Sequence, residues 1–543
     1  MKPTLLSKTS LMVLAVSLVA ACSAAPGTDQ DAGVELVTTT EPGAEPVEEV
    51  VWGLPTGEPR TVDPFRAGVE SESTVAANFC ESTLRVNPDF SIGPGLATSA
   101  EFVDDTTFVI TLRDDVTFWD GSPLTAKDAL WSYRHTADPE AGGVYASAFR
   151  KVTSMAVTGP SQVTLTFTET DAQFRAALAG PAGVIVQRDF AEDAGRDFGN
   201  PATGVMCTGP FQFEKWRPGE SITATAYPGY WDGSPKVKRL VYRFVADHTT
   251  LTSALRAGEI DGAYNVPVTS AASLRGSDGG RMLFGPSTAS LSFGPTTDEG
   301  PAADPRLRTA LDLAINKDAL IDGVLRGYGE RLKTFTPPLA WSGLPHADIY
   351  RAGYEALPSH EQDMARAREL VDEAGAGSVP LTMAIAAGST MTTQAATVVQ
   401  DAAKDIGVTI ELEQLQATEF SELFYDEPRR TRFDFVLTTG YIEVPGALYY
   451  APEFVRPDGL FNWSGYDNPE AVALLEKAAS TTDAAATARR FVAAQEVFAP
   501  DRLQVTLASL YNTAYLSDSL SGIPVSSAYL SSPWAAKLGG VTS

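Results

Sequence analysis

Between residues 364 and 412 helix-like and strand-like segments alternate, with a glycine closing each helical stretch, and this alternation restricts the fold more than any other feature. Residues 364–374 carry apolar side chains at helical spacing and stop at Gly375. Residues 381–385 form a short apolar run, 393–406 are again helical up to Gly407, and 408–412 are again strand-like. A helix between two strands packs across the sheet they share, so strict alternation implies an α/β lobe with a largely parallel sheet. Just upstream, residues 306–325 place Leu307, Leu311, Ala314 and Ile315 on one stripe and predict an amphipathic helix.

Residues 50–265 have a different texture. Short β-type runs at 107–112, 163–167 and 240–245 are bounded by Gly, Pro or Asp. Residues 125–135 predict a helix that opens on Thr125 as cap, carries Asp128 at the third helical position, and sets Ala129, Leu130 and Tyr133 at helical spacing. The last forty residues return to strand and loop. With 543 residues the chain exceeds one small domain. The expectation is two α/β lobes: lobe I over 50–265, lobe II over 266–499, and a C-terminal segment, 500–543, returning to lobe I.

The N-terminus bears on location. Residues 1–21 hold Lys2 and Lys8, then an apolar run from Leu11, and read as an export signal. Val19-Ala20-Ala21-Cys22 is similar to the bacterial lipobox, which makes Cys22 the expected lipidation site. The alternative is an ordinary signal peptide with an incidental cysteine. Residues 22–49 are rich in Ala, Pro, Gly, Thr and Glu without apolar periodicity and predict a flexible tether to the membrane. No internal stretch approaches the roughly 20 apolar residues of a membrane span. Cys80 and Cys207 would then meet an oxidising compartment, where a disulfide is expected; two buried thiols are the alternative. The formal net charge of −27 argues against nucleic acid, because phosphate backbones need clustered Lys and Arg.

A series of segments resembles the peptide and nickel class of bacterial extracellular solute-binding proteins, family 5. Leu112-Arg113, Val116, Phe118, Asp120-Gly121, Pro123, Thr125-Ala126 and Asp128 follow that family's most telling signature. Thr208-Gly209-Pro210, Trp216 with Pro218-Gly219, Tyr230-Trp231, Ala254-Leu255 with Gly258 and Asp261, Asp304 with Arg306, Arg308 and Ala310, and Asp467-Asn468-Pro469-Glu470 follow in order. Individually these read as turns, caps and helix ends, so they are scaffold. The resemblance implies a two-lobed, periplasmic-binding-protein-like α/β fold of the type II, large peptide-binding class, with a hinge between the lobes. It also implies a monomer without cofactor that encloses a solute between its lobes and delivers it to the permease of an ABC importer. An oligopeptide is the expected solute. Oligosaccharides, opines and metal chelates remain open, as does a role as ligand sensor.

Candidate ligand contacts follow from the same resemblance. Tyr264 and Asn265 lie where lobe I should end, and Phe293 lies on the strand expected to open lobe II; for either aromatic, core packing is the alternative. Peptide-binding members carry an aspartate for the ligand's α-amino group in a segment that here reads Gly440-Tyr441-Ile442-Glu443-Val444-Pro445-Gly446. Aspartate is absent. Glu443 either reaches the ammonium with a longer arm or is an exposed loop glutamate. Tyr441 shares its segment, and Trp463 offers an aromatic wall. The histidines, His135, His248, His346 and His360, show no close spacing, so no metal site is expected. An enzyme is not expected either. The sequence has no Gly-x-Ser-x-Gly, His-x-x-x-His, Cys-x-x-Cys or phosphate-binding glycine loop.

Overall fold

Strands far apart in sequence meet in two large sheets. The structure is a computed structural model that describes residues 34–275, 278–359, 361–378 and 380–542. Val34 and Glu35 belong to a separate N-terminal unit and carry no regular structure; everything below concerns the unit that begins at Leu36. Cys22 and the export signal lie outside the described residues. No helix among the described residues is long and apolar enough to cross a membrane.

The seven-stranded sheet runs Gly280–Gly285, Asn512–Ser517, Gly262–Tyr264, Val47–Leu54, Val237–Phe244, Ser221–Ala226, Phe211–Arg217. Its central strand alternates: Val50, Trp52 and Leu54 are fully buried on one face, as the two-residue side-chain period requires. Trp52 packs there against Tyr264 and Trp534, ring centres 4.9 and 4.4 Å away. The six-stranded sheet runs Gly329–Glu330, Val505–Leu510, Ser290–Pro295, Phe435–Gly440, Leu381–Ala386, Ile410–Leu415. Only the two pairings of Leu381–Ala386 are parallel. This corrects the expectation of a largely parallel sheet, because Ser290–Pro295 and Val505–Leu510, which complete it, come from outside the alternating stretch. A third, antiparallel sheet joins Ala97–Phe102, Thr107–Leu112, Gln162–Phe167 and Val152–Gly159.

The chain passes between the two large sheets twice. Residues 286–289 lead from Gly280–Gly285 to Ser290–Pro295, and Tyr511 alone separates Val505–Leu510 from Asn512–Ser517. The sequence had suggested divisions at 265/266 and 499/500; strand membership changes at these later points.

Local chemistry explains the elements. Thr125 and Asp128 form the expected capping box at the start of Ala126–Ala137, with Asp128 Oδ2 accepting from the Thr125 amide at 3.0 Å. Met364–Ala374 ends on Gly375 at φ 64°, in the left-handed region that a residue without Cβ enters freely. The single helix expected over 306–325 is two, Pro305–Ala314 and Lys317–Gly323. Asn316 breaks it, since its side chain accepts from the Ala319 amide at 3.0 Å and starts a new helix. Part of the stretch expected to be a flexible tether is paired into the fold. Val37 donates to Phe284 O at 2.8 Å, Thr40 to Ile523 O at 2.9 Å and Gly43 to Lys537 O at 2.9 Å. Backbone pairing of this kind needs no apolar periodicity, so composition does not reveal it.

The motif blocks hold this scaffold together through buried polar groups. Thr208 Oγ1, Tyr230 Oη and Trp231 Nε1 donate to the Glu81 carboxylate at 2.9, 2.8 and 3.0 Å, with Arg85 at 3.2 Å. Burial raises the Glu81 pKa, and Arg85 with these donors opposes the rise. Next to Glu81 and Thr208, a disulfide joins Cys80 to Cys207 across 127 residues. Asp261 accepts from the Val51 amide at 2.7 Å. Arg308, buried, donates only to carbonyls: Arg502 O at 2.7 Å, Ala302 O at 3.1 Å, Ala303 O at 2.6 Å and Asp501 O at 2.9 Å. Arg308→Met would leave four inward carbonyls without their donor and should cost at least about 3 kcal/mol. Thermal unfolding of this variant beside the exposed control Arg366→Met measures the loss; equal midpoints would contradict the role assigned to Arg308.

Candidate functional site

Where the chain passes between the two sheets lies a partly open cavity of about 520 Å³. Ser287 and Ala289 from the first passage and Leu510, Tyr511 and Asn512 from the second border it. Thr288 ties the first passage to the segment after Phe435–Gly440: its hydroxyl donates to Ile442 O at 2.7 Å and accepts from the Ile442 amide at 3.3 Å. Ser531 Oγ donates to Glu443 O at 2.9 Å, so the C-terminal stretch holds that segment as well.

The wall formed by residues 55–71 is shaped by one carboxylate. Glu72, fully buried, accepts from Arg60 Nε at 2.7 Å, from the Gly68 amide at 2.9 Å and from the Val69 amide at 3.2 Å. The loop is thereby closed over the first turn of Glu70–Phe79. Gly68 then meets the facing wall: Tyr441 Oη donates to Gly68 O at 3.3 Å, and a Cβ at Gly68 would stand 2.1 Å from Tyr425 Oη. Gly180 makes a similar approach, since a Cβ there would stand 2.3 Å from Val444 Cγ2.

Eight of the chain's seventeen tyrosines border the cavity, giving it broad apolar faces with hydroxyl edges. Several surround Glu443. Burial pushes the Glu443 carboxyl up to about 7, opposed in part by its own backbone amide, while the nearby Tyr145 hydroxyl donates to Ala67 O. Burial, and then the charge of Glu443, raise Tyr145, Tyr449 and Tyr450. Glu443 forms no ion pair with a described Lys or Arg. This half-buried carboxylate therefore sits among tyrosines without a described Lys or Arg as counter-charge. Among the described residues there is no group of three or more His, Cys, Asp or Glu placed to hold a metal ion.

Four of the six candidate residues, Asn265, Tyr441, Glu443 and Trp463, border the cavity. Asn265 takes a left-handed backbone at φ 51°, tolerated by asparagine, and donates from Nδ2 to Tyr529 Oη at 3.2 Å. The Trp463 indole donates to Leu460 O at 2.9 Å while Arg430 lies 4.3 Å over its ring. Tyr264 and Phe293 are not on the wall. Tyr264 is fully buried, stacked at 3.8 Å on Tyr529, with its hydroxyl donating to Pro524 O at 2.8 Å. Phe293 sits in the core beside Phe435, while its neighbour Gly294 borders the cavity, as alternation along a strand dictates. Sequence reasoning did not identify Tyr145, Glu70 or Tyr529. Tyr145 lies in an irregular stretch and Tyr529 near the C-terminus, where no periodicity marks a buried face.

The model of bacterial extracellular solute-binding proteins, family 5 (middle), matches residues 91–462. The chain belongs to this family. Among its curated relatives is a glutathione-binding protein, GsiB, of Salmonella typhi, 28% identical over 317 residues, which are 58% of this chain and 59% of that protein. The family 5 chain is also similar to the solved oligopeptide-binding protein AppA of Bacillus subtilis in complex with a nonapeptide, at TM-score 0.80 and 20% identity, covering 92% of this chain and 100% of that one. AgaA of A. tumefacien R10, solved with agropinic acid, matches at TM-score 0.80 and 21% identity over 91% and 99%. These likenesses identify the fold as the two-lobed type II, peptide-binding class of periplasmic binding proteins.

Because Glu443 has a raised pKa in the folded state, the folded protein binds more protons than the unfolded chain between about pH 4.5 and 7. Its contribution to stability therefore falls as pH rises through that window. Glu443→Gln removes the effect and should stabilise the ligand-free protein at pH 8 by on the order of 2 kcal/mol, with little change at pH 4.5. Unfolding midpoints across this range test it, and equal pH slopes for the two proteins would contradict the assignment.

Proposed function

We propose that this family 5 protein is the substrate-binding component of an ABC importer and that it captures a short peptide, whose α-ammonium group sits against Glu443. The observation that carries this reading is a half-buried carboxylate at the cavity without a described Lys or Arg as counter-charge, in the segment where peptide-binding members place their aspartate. An ammonium there offsets the desolvation that Glu443 now bears alone. The tyrosine walls give broad contact faces that tolerate varied side chains. A volume of about 520 Å³ fits a short peptide. Residues 286–289 and Tyr511 are the proposed hinge between lobe I and lobe II. Lipidation at Cys22 after removal of residues 1–21 is the proposed anchor on the outer side of the membrane, placing the monomer beside its permease.

A thermal-shift comparison of di- to penta-peptides with their N-acetylated counterparts tests the reading. Free peptides at about 100 times their Kd should add about 2.7 kcal/mol, and acetylation should remove most of it. Affinity should rise from pH 6 to about 7.5 with release of a proton, as Glu443 ionises, and fall once the ligand's amine, of pKa about 8, loses its own proton. Stabilisation by oligosaccharides, opines or metal chelates but by no peptide would keep the binding role and reject the peptide.

A further inference from the structure

A second carboxylate borders the same cavity. Glu70 opens the helix Glu70–Phe79 and is only 6% exposed. Its oxygens accept from Thr56 Oγ1 at 2.7 Å, Thr74 Oγ1 at 3.1 Å and Tyr529 Oη at 3.1 Å. All three donors are neutral, and no described Lys or Arg forms an ion pair with Glu70. Burial raises its pKa and these hydroxyls oppose the rise.

The wall's cations are differently placed. Arg60 is held by Glu72 at 2.7 Å, Arg150 by Glu476 at 3.3 Å, and Arg456 by Glu476 at 2.7 Å and Asp458 at 2.8 Å. His248, also on the wall, is kept toward its neutral form by burial. Among the other wall carboxylates, Asp171 lies near Lys151 and Arg150, Glu453 near Arg456, and Glu58 is taken up by the Trp216 indole at 2.8 Å and the Gly219 amide at 3.0 Å. Glu58 apart, whose two oxygens each accept from an N–H, buried Glu70 and half-buried Glu443 are the wall carboxylates without a described Lys or Arg partner, and they come from opposite halves of the sequence. Tyr441 connects them, since after burial the charges of Glu443 and, less strongly, Glu70 both raise its pKa.

We propose that the cleft selects a dicationic peptide, with the α-ammonium at Glu443 and a lysine or arginine side chain of the ligand at Glu70. This rests on the peptide reading above and adds the charge class of the solute. A ligand carboxylate side chain would meet like charge in a low-dielectric space, whereas a second ammonium or guanidinium restores the counter-charge that the protein withholds.

Calorimetric titration of the full-length protein with tri-alanine peptides carrying lysine, norleucine or glutamate at each position in turn tests the proposal. Norleucine keeps the length of lysine and removes its charge. In at least one position lysine should bind roughly tenfold or more tighter than norleucine, with glutamate weakest. In Glu70→Gln that lysine-to-norleucine ratio should fall to about twofold, and in Glu70→Asp it should persist. The wild-type comparison decides even where a variant does not fold. Norleucine equal to or tighter than lysine at every position would overturn the charge class and leave peptide binding intact. No binding by any of these peptides would overturn the peptide reading and this proposal with it.

Discussion

Two short passages of backbone, residues 286–289 and Tyr511, join the seven-stranded and six-stranded sheets, and the cleft depends on them. They fix its floor, because their own residues border the cavity. Higher up, the two sides meet through hydrogen bonds from Tyr441 to Gly68 O at 3.3 Å, from Ser147 to Glu453 at 3.2 Å and from the Ala172 amide to Ala479 O at 2.8 Å, and through ion pairs of Glu476 with Arg150 at 3.3 Å and Lys151 at 3.6 Å. Each such bond contributes on the order of 1 kcal/mol, and none belongs to a sheet. Separating the walls therefore leaves both sheets intact, which is what a hinge between lobes demands.

The polar groups that build each side are bound in another way. Glu81 gathers Thr208, Tyr230, Trp231 and Arg85, and Arg308 gathers four carbonyls from two stretches of chain. These networks are hydrogen-bonded throughout and hold each side together internally. They also explain why separated sequence motifs occur together: the residues of different blocks converge on one buried group.

That convergence marks the limit of what could be read from the chain. Caps and turns were legible because their chemistry is local: Thr125 with Asp128, Gly375 after its helix, and Asn468 accepting from the Glu470 amide at 3.1 Å all act within four residues. The wall of the cleft was only partly legible. Asn265, Tyr441, Glu443 and Trp463 were reached through a resemblance, and Tyr264 and Phe293 fell one layer behind it, because a strand shows its alternation but not which face meets a void. Tyr145, Glu70 and Tyr529 carry no periodic signal; they meet at the cavity only through tertiary folding. The pairing of residues 37–45 with the C-terminal stretch escaped for a similar reason, since backbone hydrogen bonds leave no trace in composition.

Buried carboxylates in this protein thus fall into two kinds. Glu72 and Glu81 each have an arginine and several further donors, and the folded chain alone accounts for them. Glu70, with three hydroxyls, and half-buried Glu443 border the cavity without a described Lys or Arg partner. Stability would be better served by an arginine beside each or by an apolar residue in its place. Uncompensated burial of charge at a cavity is instead what the proposed site, completed by a cationic solute, requires.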